Sequence, residues 1–324
     1  MIKVGVIGAG HLGKIHLSIL NKSDFELVGF HDTDVYNSEK LSQEQGYQFF
    51  KDFDSLINKI DAAVIVSPTT THFEIAKKCI SKGKHIFVEK PLTTNSKEAR
   101  IIKRLAMNEK IIGQVGFVER YNQAFISCRE FIKNPKFIES HRLSDFNPRG
   151  TDVSVIMDLM IHDIDIILNI NNSKVKKIDA SGVSIISSTP DIANARIEFE
   201  DGCIANLTSS RISLKKMRKT RIFQDDAYIS INFLEKEFQV VKIRDKHKSD
   251  SDSSLIIKNN LGEEKVIFFE NPELKSINSI EVELNDFYNS IKSRTDSKVD
   301  IQNQFQFLKF FLPAKDPIIE FEKL

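Results

Sequence analysis

Apolar residues in the first 118 positions form short continuous runs, and amphipathic stretches separate most of these runs. A continuous apolar run is typical of a parallel strand buried on both faces, whereas apolar positions three and four apart indicate a helix. The pattern predicts a loop at 67–72, helices at 73–82 and 97–108, and strands at 3–7, 26–32, 62–66, 85–88 and 111–118. This alternation predicts an α/β domain with a doubly wound parallel sheet.

The pattern changes after about residue 120. A helix is predicted at 153–169, and alternating apolar and polar residues then predict antiparallel strands at 192–199, 203–211, 220–224, 227–233 and 238–244. A charged, serine-rich loop is expected at 245–254, followed by helices near 277–291 and 303–311. We therefore predict a first domain at 1–118 and a second, α+β domain at 119–324. The second domain carries a large, mainly antiparallel open sheet, and its last helix packs back on the first domain.

Composition excludes several classes of protein. A chain of 324 residues fits two domains, and its net charge of +1 gives no electrostatic case for nucleic acid or an anionic membrane surface. No apolar run approaches the roughly 20 residues of a membrane span, and the N-terminus enters a strand directly, without a secretion signal. Cys79, Cys128 and Cys203 lack the spacing of a zinc site. We expect reduced thiols, a cytoplasmic protein and no metal.

The first predicted strand runs directly into a G-x-G-x-x-G turn, Gly8-Ala9-Gly10-His11-Leu12-Gly13, and a helical segment follows it. In a dinucleotide-binding turn the first glycine allows the tight turn, the second lets the backbone approach a pyrophosphate, and the third lets the helix pack on the strand. The alternative is a set of turn glycines without a ligand. Because a carboxylate for the ribose follows 19 residues after the last glycine, we predict a dinucleotide site at Gly8, Gly10, His11, Leu12, Gly13 and Asp32.

Asp32 also bears on which dinucleotide binds. A carboxylate at this position repels a 2′-phosphate, and Thr33, Asp34 and Val35 supply no cation. The sequence therefore favours NAD over NADP. The alternative is NADP, with a basic residue from elsewhere in the fold in contact with its 2′-phosphate.

Two further segments follow predicted strands. The loop beginning at Ser67 follows the strand at 62–66, and Glu89-Lys90-Pro91 follows the strand at 85–88. Ligands of a parallel sheet bind at the carboxyl ends of the strands, where these segments lie with Asp32. Lys90 is therefore a candidate for chemistry at the nicotinamide, against the alternative of a solvated surface lysine.

The helix predicted at 153–169 carries a candidate acid–base group. Asp158, His162 and Asp165 stand at i, i+4 and i+7, so a regular α-helix places them on one face. A histidine between carboxylates suits proton transfer near neutral pH. The alternative is a surface helix with one satisfied histidine. A metal site is disfavoured because no second ligand cluster accompanies the pair.

These motifs resemble the Gfo/Idh/MocA oxidoreductase family in order and spacing. The resemblance rests on the glycine turn followed by His16, on Ser67-Pro68-Thr69 with His72, on Glu89-Lys90-Pro91, and on Asp158 with His162 and Asp165. It implies an N-terminal Rossmann domain and a C-terminal domain whose open sheet often makes oligomer contacts. It also implies a catalytic set of Lys90, Asp158 and His162. Residues that it places along the nicotinamide half of the cofactor are Ser67, Pro68, Thr69, His72 and Glu89.

A narrower resemblance, to a bacterial subgroup that includes UDP-N-acetylglucosamine 3-dehydrogenases, covers 117–122, 141–153, 158–165, 191–196 and 221–224. It implies a 3-keto sugar nucleotide passed to a partner aminotransferase in lipid A assembly, and a homo-oligomer, dimer or tetramer. Gln123 departs from the subgroup, where proline is common.

The substrate contacts expected from this resemblance are Lys90, Arg120, Asn122, Arg142, Arg149, Asp158 and His162. Arg142 and Arg149 are candidates for a diphosphate, because guanidinium groups match phosphate oxygens, and salt bridges are their alternative role. Another sugar or inositol dehydrogenase of the same fold, and a non-catalytic NAD-binding regulator, are the competing functions.

Overall fold

A computed structural model describes residues 1–147, 153–245, 255–258, 262–270, 274 and 277–301. The chain forms two compact units. Met1–Tyr121 and the described residues from Asn278 onward make up the first, and the described residues of Asn122–Ile277 make up the second. Within the described residues, no helix is long and apolar enough to cross a membrane.

Strands and helices alternate along the first unit. Their bounds are β1 Lys3–Ile7, α1 His11–Leu20, β2 Glu26–His31, α2 Val35–Gln45, α3 Phe53–Ile57, β3 Ala62–Ile65, α4 Thr69–Ser81, β4 His85–Glu89, α5 Ser96–Asn108 and β5 Gly113–Gly116. A 3₁₀ turn at Val118–Tyr121 follows. In the described part of the chain these strands form a five-stranded sheet in the order β2-β1-β3-β4-β5, and every neighbouring pair is parallel.

The second unit is dominated by a large sheet. Its elements are α6 Gln123–Cys128, a 3₁₀ turn at Arg129–Phe131, β6 Phe137–Leu143, a π-helical segment Ile156–Met160, α7 Ile161–Ile170, β7 Val175–Val183, β8 Ile192–Phe199, β9 Ile204–Ser210, β10 Met217–Phe223, β11 Ala227–Asn232, β12 Glu237–Asp245, β13 Leu255–Lys258 and β14 Glu264–Glu270. Among described residues the sheet has nine strands in the order β13-β14-β12-β11-β10-β6-β9-β8-β7. The β6–β9 pair is parallel and the others are antiparallel. The two sheets confirm the predicted fold class.

Helix α8, Ser279–Ser293, belongs to the first unit. Its Leu284, Phe287 and Ile291 lie in one hydrophobic cluster with residues of the parallel sheet such as Val4 and Val64. The sequence predicts a boundary near residue 118, which places this helix in the second domain, and predicts that the last helix of the chain packs back on the first domain. The helix predicted near 303–311 and most of the loop predicted at 245–254 lie outside the described residues.

Two predicted elements have different boundaries in the structure. Helix α4 begins at Thr69, inside the predicted loop, because Pro68 precedes it in an extended conformation and its carbonyl accepts a bond from the Thr71 hydroxyl at 2.7 Å. The strand predicted at 111–118 is limited to Gly113–Gly116, since the chain turns into a 3₁₀ helix two residues later.

All three cysteines are free and buried. Burial raises the pKa of Cys79 and Cys128 to about 12, which leaves roughly one thiolate in ten thousand at pH 8. We therefore expect Ellman's reagent to leave the native protein unlabelled at pH 8 and to label all three thiols in urea. Rapid labelling of a thiol in the native state would contradict this burial.

Candidate active site

The glycine turn between β1 and α1 leaves space for a ligand. Gly8 has a φ of +99°, a conformation that favours glycine, and a Cβ at Gly13 would overlap the Gly8 carbonyl. A Cβ at Gly10, by contrast, would meet nothing within 4 Å. The first N–H groups of α1 have no acceptor within the helix and favour an anion. An open backbone surface beside a helix N-terminus fits the pyrophosphate of a dinucleotide.

Asp32 joins the end of β2 to the glycine turn. Its Oδ2 accepts a hydrogen bond from the Ala9 N–H at 2.6 Å, and its Oδ1 accepts from the Asp34 N–H at 2.8 Å. A carboxylate has about four acceptor positions, so each oxygen retains a lone pair for a ribose hydroxyl. The side chain is partly exposed, as a ligand contact requires. These features fit the adenosine ribose of the same dinucleotide.

The second and third glycines of the turn, Gly10 and Gly13, provide a matched pair of substitutions. Gly13→Ala is expected to lower the free energy of unfolding by about 1–3 kcal/mol, since its methyl group overlaps the Gly8 backbone. Gly10→Ala is expected to change the free energy of unfolding by no more than about 0.5 kcal/mol relative to the unmodified protein. It lowers dinucleotide affinity roughly tenfold or more, because its methyl group enters the space above the turn. Urea unfolding and calorimetric titration with NAD measure both effects. Unchanged NAD affinity in Gly10→Ala would place the pyrophosphate elsewhere.

The segments after β3 and β4 are connected by a buried histidine. His72 in α4 places Nε2 at 2.8 Å from the Ser67 carbonyl oxygen and Nδ1 at 2.9 Å from the Pro91 carbonyl oxygen. Glu89 ends β4, and its Oε2 accepts from the Lys90 N–H at 3.3 Å. The structure thus connects Ser67, His72 and the Glu89-Lys90-Pro91 segment at the carboxyl ends of neighbouring parallel strands. Glu89 and Lys90 are both partly exposed.

The helix predicted at 153–169 consists of two parts. Ile156–Met160 is π-helical, with the Ile161 N–H bonded to the Ile156 carbonyl, and α7 follows. A π turn is wider than an α turn and recurs at functional sites, so the i, i+4 geometry of a regular α-helix does not apply to Asp158. Asp158 and His162 are partly exposed, whereas Asp165 is 2% exposed.

Arg142 on β6 makes a buried ion pair with Asp163 on α7. Arg142 Nε donates to Asp163 Oδ2 and Nη2 donates to Oδ1, each at 3.0 Å. The two side chains are 3% and 1% exposed. We expected Arg142 to contact a diphosphate. Its burial and its paired contacts support instead the salt-bridge role, in which it holds α7 on the sheet beside His162.

A second buried ion pair lies where the π-helical segment begins. Arg211 Nε donates to Asp191 Oδ1 at 2.9 Å, and Nη1 donates to the Val153 carbonyl at 2.8 Å. Burial opposes ionisation of Asp191, but N–H bonds from Ser187, Ile185 and Ile186 hold its pKa well below the usual range. Arg211 thus connects the loop before β8, which contains Asp191, to Val153, which precedes the π-helical segment. Sequence reasoning missed this ion pair, because nothing local in the chain joins these positions.

The remaining expected substrate contacts have structural partners or lie outside the described residues. Asn122 caps α6, with its Oδ1 accepting from the Ala124 N–H at 3.1 Å and its Nδ2 donating to the Phe233 carbonyl at 3.0 Å. Arg120 donates to the Lys298 carbonyl at 3.4 Å. Arg149 lies outside the described residues. Among described residues, no group of three or more His, Cys, Asp or Glu side chains is arranged to hold a metal ion.

The parallel sheet, the glycine turn and the carboxylate after β2 define the class of protein, an oxidoreductase with an NAD(P)-binding Rossmann domain. A model of the "Oxidoreductase family, NAD-binding Rossmann fold" matches residues 2–117, and a model of the "GFO/IDH/MocA C-terminal domain" matches residues 132–230. The chain belongs to the Gfo/Idh/MocA family of NAD(P)-dependent dehydrogenases, which act on CH–OH groups of sugar-type compounds. The resemblance inferred from the motifs is thereby confirmed.

Several characterised proteins are similar to this chain. UDP-N-acetylglucosamine 3-dehydrogenase from Acidithiobacillus ferrooxidans is 34% identical over 234 residues, which cover 72% of this chain and 74% of that enzyme. A solved structure of that dehydrogenase matches with a TM-score of 0.88 at 28% identity, covering 100% of this chain and 99% of the other. scyllo-Inositol 2-dehydrogenase (NAD(+)) from Bacillus subtilis is 28% identical over 234 residues, 65% of this chain and 68% of that enzyme.

Proposed function

We propose that this protein oxidises the C3 hydroxyl of UDP-N-acetylglucosamine with NAD and forms the 3-keto sugar nucleotide. The observation that carries the proposal is the match over the whole chain to the A. ferrooxidans UDP-N-acetylglucosamine 3-dehydrogenase, with a TM-score of 0.88. The chain also carries Lys90, Asp158 and His162 together. A non-catalytic regulator needs the cofactor site alone, so this set favours an enzyme.

We assign the proton transfer to His162, which as a neutral imidazole accepts the proton of the sugar hydroxyl. Asp158, four residues earlier in the chain, orients that imidazole or the hydroxyl. The Lys90 ammonium donates a hydrogen bond to the same oxygen and stabilises the negative charge that develops there. NAD, held along the glycine turn and the segments after β3 and β4, would supply the acceptor for the hydride that leaves the sugar carbon.

The proposed cofactor edge consists of Gly8, Gly10, His11, Leu12, Gly13 and Asp32 toward the adenosine and pyrophosphate, and Ser67, Pro68, Thr69, Glu89 and Lys90 toward the nicotinamide. His72 is buried, and it supports this edge through the Ser67 and Pro91 carbonyl oxygens that its ring nitrogens face. For the sugar nucleotide we propose Arg120 and Arg149 as contacts besides the catalytic set, whereas Asn122, which is 3% exposed and caps α6, is assigned a structural role. Arg142 is assigned to the ion pair with Asp163, which leaves Arg149 as the proposed diphosphate contact.

Asp32→Ala tests the proposed preference for NAD over NADP. The unmodified carboxylate accepts from ribose hydroxyls and repels a 2′-phosphate, and a charged acceptor of this kind contributes about 1.5–3 kcal/mol. We expect the variant to lose roughly tenfold or more in NAD affinity and to gain relative affinity for NADP. Calorimetric titration with both dinucleotides measures the ratio. Asp52→Ala, which removes the carboxylate cap of α3, is the control for removing an acidic side chain from this unit.

Tighter binding of NADP than of NAD by the unmodified protein would contradict the preference. The Rossmann fold and the family would stand in that case. The residue facing the ribose would then be a basic residue from another element, and the role assigned to Asp32 would be withdrawn.

A substrate panel tests the proposed reaction. The protein is incubated with NAD and, in separate reactions, with UDP-N-acetylglucosamine, UDP-glucose, free N-acetylglucosamine, myo-inositol or scyllo-inositol. Oxidation of an alcohol by NAD is unfavourable near neutral pH, so a sugar-nucleotide aminotransferase and glutamate are added to consume the ketone. We expect NADH from UDP-N-acetylglucosamine, in larger yield when the aminotransferase is present.

Two outcomes of the panel would contradict the proposal in different ways. Oxidation of an inositol without oxidation of UDP-N-acetylglucosamine favours the alternative shared with the inositol 2-dehydrogenases and leaves the catalytic set in place. NAD binding without oxidation of any alcohol favours the regulator.

We propose the aminotransferase as a pathway partner and a homo-oligomer, dimer or tetramer, as the state in solution.

A further inference from the structure

Two buried histidines contact the residues on either side of Lys90. His16 in α1 places Nε2 at 3.1 Å from Glu89 Oε1, and His72 in α4 places Nδ1 at 2.9 Å from the Pro91 carbonyl oxygen. His16 is fully buried and His72 is 1% exposed. Burying a histidine is unfavourable unless at least one ring nitrogen has a hydrogen-bond partner. The residue before Lys90 and the residue after it are thus each held by a helix packed on the sheet.

The contact of His16 has a defined direction. An ionised carboxylate only accepts hydrogen bonds, so Nε2 of His16 carries a hydrogen atom and donates the hydrogen bond to Glu89. Nδ1 of His16 is buried and has no hydrogen-bond partner among the described residues, so the contact with Glu89 is made by Nε2. The other carboxylate oxygen of Glu89 accepts from the Lys90 N–H at 3.3 Å. Glu89 therefore connects α1 to the backbone of Lys90 through its two oxygens.

The position of Glu89 is restricted from the neighbouring strand as well. A Cβ at Gly116 in β5 would stand 2.8 Å from the Glu89 carboxyl group. Glycine at this position leaves the space that the carboxylate fills, and any larger residue would displace it. The carboxylate is thus confined between β5, the His16 ring and the Lys90 amide.

His72 holds the other side of the segment. Its two ring nitrogens face the carbonyl oxygens of Ser67 and Pro91 at 2.8 and 2.9 Å. Burial lowers the pKa of His72, and the two carbonyl contacts oppose that effect, because a carbonyl oxygen only accepts and favours an N–H on the ring nitrogen that it faces. The ring fills the space between the loop after β3 and the segment after β4.

We propose that His16 and His72 are positioning residues that fix the direction of the Lys90 side chain by holding Glu89 and Pro91. The inference rests on the proposed role of Lys90 at the reacting oxygen. The Cα–Cβ bond of a residue follows its backbone, and the backbone of Lys90 is held on both sides. A displacement of about 1 Å at a reacting group lowers the rate by roughly a hundredfold. The two histidines act on the reaction through Lys90.

Substitutions that remove the donor test this proposal. His16→Phe and His72→Phe fill the buried space without a hydrogen bond, whereas His16→Gln and His72→Gln keep an N–H donor. His85→Phe and His85→Gln are the matched controls. His85 lies at the opposite end of β4, and its Nδ1 accepts from the Ile112 N–H at 3.0 Å. If a Phe variant does not fold, the corresponding Met variant, which is flexible and also lacks the donor, replaces it.

The first readout needs no substrate. Lysines of the intact protein are reductively methylated with isotopically labelled formaldehyde, and the Lys90 signal is assigned in the nuclear magnetic resonance spectrum by its loss in Lys90→Arg. We expect the signal to move or broaden in His16→Phe and His72→Phe and to keep its position in His85→Phe. An unchanged Lys90 signal in both folded donor-free variants would overturn the proposal.

The second readout is kinetic, with UDP-N-acetylglucosamine as the substrate. In the donor-free variants we expect kcat to fall roughly 10–100-fold, with the KM for the sugar nucleotide and the Kd of NAD within about threefold. The Gln variants recover most of kcat. Equal losses in kcat, KM and NAD affinity that follow the loss of thermal stability would overturn the proposal in favour of a purely structural role. Absence of turnover by the unmodified protein contradicts the proposed function, and the Lys90 signal still decides the positioning role.

Discussion

His162→Ala is expected to lower kcat by roughly 10²–10⁴-fold, the range that a positioned general base contributes. The fold and the cofactor site do not depend on this imidazole. Helix α7 is held on the sheet by the neighbouring Asp163, whose carboxylate is paired with Arg142, and the glycine turn belongs to the other unit. The Kd of NAD and the melting temperature should therefore stay close to those of the unmodified protein.

The measurement compares kcat, the Kd of NAD and the melting temperature in His162→Ala and in the control His85→Ala. His85 is partly buried, bonds to the Ile112 N–H, and has no assigned role in the reaction. Turnover by His162→Ala within about threefold of the unmodified protein would exclude His162 as the general base. A loss shared with His85→Ala would indicate a general effect of removing a histidine ring.

Arg142→Met is expected to lower the free energy of unfolding by about 3–5 kcal/mol, because it leaves the buried Asp163 carboxylate without its counter-charge. Met keeps much of the volume of the arginine stem, so the lost charge and hydrogen bonds dominate the effect. Combining Arg142→Met with Asp163→Leu removes the orphaned charge and should recover most of the loss. Urea unfolding followed by circular dichroism measures these differences.

Arg221→Met is the matched control for Arg142→Met. Arg221 on β10 pairs with Glu139 on β6 at 2.8 Å, with side chains 28% and 37% exposed. A partly solvated pair of this kind contributes about 0–1 kcal/mol. Equal losses in the two variants, or a double variant less stable than Arg142→Met alone, would contradict the argument from buried charge.

The parallel half of the fold was predictable because its signals are local. Buried parallel strands appear as continuous apolar runs, and the glycine turn stands directly after the first of them. Parallel strands end at one edge of a sheet, so the positions of Asp32, Ser67 and Glu89 after three strands predicted their common edge. Their contacts with Ala9, His72 and Lys90 are the structural detail added to that prediction.

The features that were not predicted depend on contacts between distant parts of the chain. The partner of Arg142 lies 21 residues away, across a helix–sheet interface, and no local pattern distinguishes that pairing from a diphosphate contact. Helix α8 has an ordinary amphipathic pattern, which does not reveal that its apolar face joins the parallel sheet. The π-helical hydrogen bond at Ile161 cannot be read from a periodicity of 3.6. The same periodicity grouped Asp165, which is buried, with the partly exposed Asp158 and His162.

The identity of the oxidised carbon decides whether this protein is a 3-dehydrogenase of UDP-N-acetylglucosamine. UDP-N-acetylglucosamine carrying deuterium at C3 is incubated with the protein, NAD, glutamate and a sugar-nucleotide aminotransferase, and both products are analysed by mass spectrometry. We expect NADH that carries the deuterium and a UDP-sugar with an amino group at C3. Unlabelled NADH from this substrate, or no NADH from it while an inositol is oxidised under the same conditions, would contradict the assignment.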